Sequence, residues 1–109
     1  MLSDKLLKLA EDVSGAIRQT PEYEAFTLQK KKVASDPEAK DLIEKARDIQ
    51  SRLMDIPESE RNSDYAESLQ DQYEEISENT AVFDYTRAEA TYMTMVQEVL
   101  GTIIENLEV

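Results

Sequence analysis

The chain has 109 residues, of which 24 are acidic and 12 are basic, so its formal net charge is −12. It contains no cysteine and no histidine, which excludes disulfides, thiolate chemistry and cysteine-ligated clusters formed by this chain, together with the commonest general base and transition-metal ligand. Its 2 glycines and 3 prolines are typical of long helices with few turns. We therefore expect one all-α domain over residues 1–109.

The charge is unevenly distributed along the sequence. Residues 1–56 carry 10 basic and 11 acidic side chains, a net charge of −1, whereas residues 57–109 carry 2 and 13, a net charge of −11. The second half therefore repels nucleic acid and anionic lipid. No uninterrupted apolar run approaches the roughly 20 residues that span a bilayer, so we expect a cytoplasmic protein without a membrane segment.

The first two predicted helices cover about residues 3–19 and 21–34. Apolar side chains in the first recur at spacings of three and four, which places them on one face of an amphipathic helix. Thr20, Pro21 and Glu22 then supply a capping hydroxyl, a proline suited to the first helical turn and an acid for the positive helix end. The apolar face of the first helix consists of Leu2, Leu6, Leu9, Ala10, Val13, Ala16 and Ile17, and that of the second of Tyr23, Phe26 and Val33.

The third predicted helix, about residues 37–56, has the clearest pattern in the sequence. It follows the start signal Asp36-Pro37-Glu38 and ends before Pro57, and residues 57–63 after it contain no apolar side chain and are predicted to form a loop. Apolar residues spaced 3-4-3-4-3 form a coiled-coil seam of Ala39, Leu42, Ala46, Ile49, Leu53 and Ile56. On its surface we expect two ion pairs, Asp41 with Lys45 and Asp48 with Arg52.

The last two predicted helices cover about residues 64–79 and 80–107, and the sequence leaves open whether they fuse at Asn79. The apolar face of the last helix is too wide for one neighbour, because a two-stranded seam needs only two apolar positions per heptad. In a single chain, Phe83, Met93, Leu100 and Ile104 would stay in water, and dimerisation is the simplest way to cover them.

The expected architecture is therefore an antiparallel helical hairpin or bundle with a long C-terminal helix, completed by formation of a homodimer. We expect the third and last helices to supply the contacts with the second copy or with other protein partners. The predicted interface combines the seam of the third helix with Tyr92, Met93, Val96, Val99, Leu100, Ile103 and Ile104. No catalytic, cofactor-binding or metal-ligating residue is predicted.

Two alternative functions start from charged side chains. Acidic pairs one helical turn apart, such as Glu74 with Glu78, could share a divalent cation in a carboxylate-based metal-binding bundle, although helical di-metal sites usually include histidine. The sole basic cluster, Lys30, Lys31 and Lys32, could serve an RNA-associated factor, but it lacks interleaved aromatic residues, so direct nucleic-acid binding is not expected.

Glu89 lies between Tyr85 and Tyr92 on the apolar line of the last helix, where an unpaired charge would be costly. We expect either that a basic group from another helix or subunit pairs with it, or that it marks the edge of the buried stripe.

Several segments, taken in order, resemble a known family. They are residues 20–26 (TPEYEAF), 35–43 (SDPEAKDLI), 79–82 (NTAV), 85–90 (YTRAEA) and 96–104 (VQEVLGTII). In order and spacing they resemble the YlbF/YmcA family of small bacterial cytoplasmic proteins, which is associated with control of competence, sporulation and biofilm formation. The resemblance covers nearly the whole chain.

The resemblance implies an all-helical, non-enzymatic dimer. For the best-known members it also implies a regulatory complex that influences ribonuclease Y and messenger RNA processing and that is linked with iron–sulfur clusters ligated by cysteine. This chain has no cysteine, so its own side chains cannot ligate such a cluster. The family supplies no catalytic residues to carry over.

Overall fold

A computed structural model of the chain describes residues 1–108 and contains only helices and their connections in that range. The five α-helices are α1 (Asp4–Arg18), α2 (Pro21–Ala34), α3 (Pro37–Asp55), α4 (Asp64–Ser77) and α5 (Thr80–Leu107). Each of them begins and ends within two residues of the predicted bounds. The all-α class is confirmed, and residues 57–63, predicted as a loop, include a short 3-10 helix at Glu58–Glu60.

Side-chain caps explain where these helices begin. At each start, a hydroxyl, carboxylate or amide oxygen accepts a hydrogen bond from the backbone N–H three residues further on, which satisfies one of the donors that the first helical turn leaves unpaired. The donor–acceptor distances lie between 3.1 and 3.2 Å. The capping residues are Ser3, Thr20, Asp36, Ser63 and Asn79.

The cap at Asn79 answers the question of whether the last two helices fuse. Helix α4 ends at Ser77 and α5 starts at Thr80. Asn79 Oδ1 accepts a hydrogen bond from the Val82 N–H at 3.1 Å. The helical structure is therefore interrupted at this point, and α5 begins as a separate helix.

Helices α3 and α4 form an antiparallel hairpin around a small apolar cluster. Two contacts show the antiparallel direction. Gln50 Nε2 donates a hydrogen bond to the Tyr73 hydroxyl in the second half of α4 at 3.0 Å. Ile56, which directly follows α3, clusters with residues early in α4. The buried members of the cluster are Ile49, Ile56, Ala66 and Leu69, and Leu53, Tyr73 and Ile76 pack against them.

The two ion pairs predicted on the surface of α3 are confirmed. Lys45 Nζ lies 3.5 Å from Asp41 Oδ2, and Arg52 Nε lies 3.0 Å from Asp48 Oδ2. Because all four side chains are exposed, each pair contributes only a few tenths of a kcal/mol.

The chain divides into two compact units. The core unit, Lys30–Thr86, contains every buried side chain of residues 1–108. The terminal unit comprises Met1–Gln29 and the chain from Arg87 onward, and its described residues include no buried side chain. The prediction of a single domain over residues 1–109 stays a prediction.

The α3–α4 hairpin should depend strongly on Leu69, which is only 4% exposed. We expect Leu69→Ala to lower the free energy of unfolding by about 2–4 kcal/mol, because it removes buried apolar surface and leaves a cavity. The measurement is urea unfolding followed by circular dichroism. Met54, in the same hairpin, is 83% exposed, so Met54→Ala is the control and should change the same quantity by less than about 0.5 kcal/mol.

Candidate protein-interaction surface

The α3 seam predicted as an interface lies in the core unit. Three of its side chains are buried and three are half-buried. Two of the buried ones, Ile49 and Ile56, pack in the cluster of the hairpin, so this part of the seam already contacts α4 of the same chain. The buried residues are Ala39, Ile49 and Ile56, and the half-buried ones are Leu42, Ala46 and Leu53.

The α5 residues predicted for the interface divide into two groups. Tyr92, Val96 and Val99 are half-buried. The others keep much of their surface in water, with relative exposures of 47% for Met93, 54% for Leu100, 44% for Ile103 and 59% for Ile104. Phe83, at 52%, is exposed as well, so the four side chains expected to be left in water by a single chain are exposed.

An aromatic cluster covers one side of α5 in the terminal unit. The rings of Phe26 and Tyr92 are stacked, with centroids 5.2 Å apart, and the ring of Tyr23 meets that of Tyr92 edge-on at 5.9 Å. Such ring pairs contribute about 0.5–1.5 kcal/mol each beyond the burial of their area. Tyr92 is therefore held by α2 of the same chain, whereas Leu100 and Ile104, further along α5, stay exposed.

The candidate surface also includes helix α1, which the sequence did not predict to be part of it. None of the α1 residues is buried, and the apolar stripe predicted from the spacing of threes and fours is exposed except at Ile17, which is half-buried. The signal was present in the sequence, because the stripe is clearly amphipathic, but the pattern does not say which surface covers it. Helix α1 has 15 residues, and a helix of this length is marginal in water on its own, so the exposed stripe makes α1 a candidate for contact with another surface.

We call the exposed large apolar side chains of the predicted α1 stripe, together with those of α5 from residue 87 onward, the terminal apolar set. On α5, its members at positions 93, 100, 104 and 107 follow one face at spacings of seven, four and three. The set consists of Leu2, Leu6, Leu9 and Val13 near or on α1, and Met93, Leu100, Ile103, Ile104 and Leu107 on α5.

The charged side chains singled out in the sequence lie outside this set. Lys30, Lys31 and Lys32 are exposed, and the last two fall in the final turn of α2, where cations stabilise the negative end of the helix dipole. Glu89 is half-buried and is not free of interactions.

Neither a metal cluster nor a membrane span is found in the part of the chain that the structure describes. No three or more carboxylates there come together in a way that could hold a metal ion. No helix there is both long and apolar enough to cross a bilayer.

Comparison with known proteins gives one match. A family described as control of competence regulator ComK, YlbF/YmcA, matches residues 6–108. No curated protein and no solved structure shows significant similarity to the chain. The matching family is a regulatory one and is not known as an enzyme family. Because the match extends over nearly the entire sequence, this chain belongs to the YlbF/YmcA family.

Proposed function

We propose that this chain is a non-enzymatic regulatory adaptor that acts through protein–protein contacts and forms a homodimer through its terminal apolar set. One observation carries the proposal: all nine side chains of this set are exposed, each between 38% and 72%. Monomeric proteins rarely leave large apolar patches uncovered, and such patches usually mark interaction sites.

The gain from covering these side chains is large enough to support an assembly. Full burial of a large apolar side chain is worth about 1.5–3 kcal/mol. Nine half-exposed side chains therefore correspond to a gain on the order of 10 kcal/mol for each chain, and both chains gain in a dimer. Association costs about 4–15 kcal/mol, so the balance favours a dimer at ordinary protein concentrations.

A second copy of the chain is the simplest occupant because a two-fold symmetric contact covers the same surface on both subunits at once. The charge on α1 does not oppose it. Although the whole chain carries a net charge of −12, α1 contains three acidic and three basic side chains and has no net charge. These charged residues are Asp4, Glu11, Asp12, Lys5, Lys8 and Arg18.

The family supports a role in regulation. Its description links it to control of the competence regulator ComK, and the resemblance extends to sporulation, biofilm formation and messenger RNA processing. We place the protein in the cytoplasm as a partner-binding subunit in this type of control. Since the chain has no cysteine, any iron–sulfur cluster in such a complex would be ligated by other subunits.

We expect the wild-type chain to sediment as a dimer at micromolar concentration in analytical ultracentrifugation. Leu100→Glu combined with Ile104→Glu should weaken the dimer by at least about a hundredfold, because each substitution brings a charge into an apolar contact. Circular dichroism would verify that the variant is still helical.

Thr102→Glu is the matched control for this experiment. It adds the same charge to the same helix, but Thr102 lies about 200° around the axis from both Leu100 and Ile104. The control should sediment like the wild type. A well-folded wild-type chain that stays monomeric at micromolar concentration would contradict the dimer.

The regulatory role is tested separately in the native host. After deletion of the gene, wild-type protein and the Thr102→Glu control should restore transcription of a ComK-dependent reporter, whereas the variant with Leu100→Glu and Ile104→Glu should restore no more than an empty vector. The expected reason is loss of the contact surface rather than loss of the fold. Equal complementation by the charged variant would show that this surface is not needed for regulation, whatever the sedimentation result.

A further inference from the structure

A second feature lies in the core unit, and none of the residues that line it belongs to the terminal apolar set. It is an open cavity of about 240 Å³ between the end of α2, one face of α3 and the start of α5. Three buried side chains line it, Val33, Ile43 and Tyr85. The cavity therefore offers an apolar floor and, at Tyr85, an aromatic ring with a hydroxyl.

The charge around this cavity is the reverse of that of the whole chain. Three basic side chains, Lys30, Lys40 and Arg47, line it, and Glu44 is the single acidic one. The sequence as a whole contains 12 basic and 24 acidic residues, so a ratio of one to two becomes three to one at this site. A local excess of cations beside a low-dielectric floor attracts an anionic group more strongly than the same charges would in open water.

Arg47 is held in place at the cavity by Tyr85. Its Nη2 donates to the Tyr85 hydroxyl at 3.0 Å, and its guanidinium carbon lies 6.0 Å from the centre of the tyrosine ring. Arg47 and Lys30 both have further interactions within the chain, so an arriving carboxylate would add to the contacts that these side chains already make. An ordered guanidinium loses less conformational entropy on binding and presents a planar fork that matches a carboxylate.

We propose that this cavity binds an acidic side chain of a partner protein, with an adjacent apolar side chain of that partner on the floor. The carboxylate contacts Arg47 and Lys40, and the apolar neighbour covers Val33 and Ile43. The protein would then have two distinct surfaces, one for self-association in the terminal unit and one for an acidic peptide segment in the core unit.

The charge of the chain favours a peptide over a nucleic acid at this site. A nucleic acid carries one negative charge for each nucleotide, and a protein with a net charge of −12 repels such a polyanion. A short peptide brings one or two carboxylates and supplies the apolar group that the floor fits. The apolar floor also distinguishes the cavity from an ordinary solvated lysine cluster.

The test begins with selection from a displayed library of random short peptides on the full-length wild-type chain. We expect the recovered peptides to share an aspartate or glutamate next to a large apolar residue. The synthesised consensus peptide, labelled with a fluorophore, would then be titrated with the protein by fluorescence anisotropy. Amide shifts in NMR spectra should move at Ile43 and Arg47 and leave the α1 amides unchanged.

Neutralising substitutions locate the binding site. Arg47→Gln should weaken binding of the consensus peptide about tenfold and Lys40→Gln about threefold, whereas Arg47→Lys, which keeps the charge and loses the fork, should give an intermediate loss. Lys45→Gln and Arg52→Gln are matched controls, because they remove the same charge from the same helix outside the cavity. If Arg47→Gln does not fold, Lys40→Gln and Arg47→Lys carry the test.

Three results would overturn the proposal. The first is that the selection recovers no peptide, or only peptides without an acidic residue. The second is that the control substitutions weaken peptide binding as much as Arg47→Gln does. The third is that the NMR amide shifts are confined to the terminal unit. Binding of a labelled single-stranded RNA that depends on Arg47 and Lys40 would also overturn it, in favour of a nucleic-acid site. None of these results bears on the sedimentation of the dimer, so the two proposals fail independently.

Discussion

The packing of α3 against α4 is the interaction on which the rest of the described structure depends. Ile49 and Ile56 meet Ala66 and Leu69 across the hairpin, and the core unit to which they belong holds all the buried side chains of residues 1–108. A chain of this length buries a limited apolar area. This buried area is concentrated in the core unit. In the terminal unit, the apolar faces of the helices therefore stay largely uncovered by the unit's own residues.

That uneven distribution gives the two units different chemistry. The terminal unit presents aliphatic side chains, and α1 has no net charge, which suits contact with an identical surface. The core unit combines a stable apolar cluster with a cationic cavity, where Tyr85 orders Arg47. Rigid elements position polar groups more accurately than mobile ones, so the better-packed unit is the more suitable place for recognition of a specific side chain.

The sequence was most informative where local chemistry decides the structure. Caps at Thr20 and Asp36, proline at the starts of α2 and α3, and ion pairs four residues apart all depend on neighbours within one helical turn, and all are observed. Periodicity also located the wide apolar face of α5. These features needed no knowledge of tertiary contacts.

What the sequence could not supply was the identity of each neighbour. The regular spacing of α3 resembles a coiled-coil seam, but periodicity does not show whether the neighbouring helix belongs to the same chain or to another one. Here Ile49 and Ile56 pack against α4 of the same chain. The contact between Arg47 and Tyr85 joins residues 38 positions apart, which no local pattern indicates. For the same reason, the stripe on α1 could be recognised as amphipathic without being assigned to an exposed surface.

The absence of buried side chains on α1 has a consequence for protein turnover. A helix with few buried contacts opens more often than a well-packed one, and opened backbone is what proteases cleave. In the proposed dimer, assembly would shield α1, so an unassembled subunit would be degraded faster than an assembled one. The cell could in this way keep the amount of this protein matched to the number of complexes it joins, without a separate control on its synthesis.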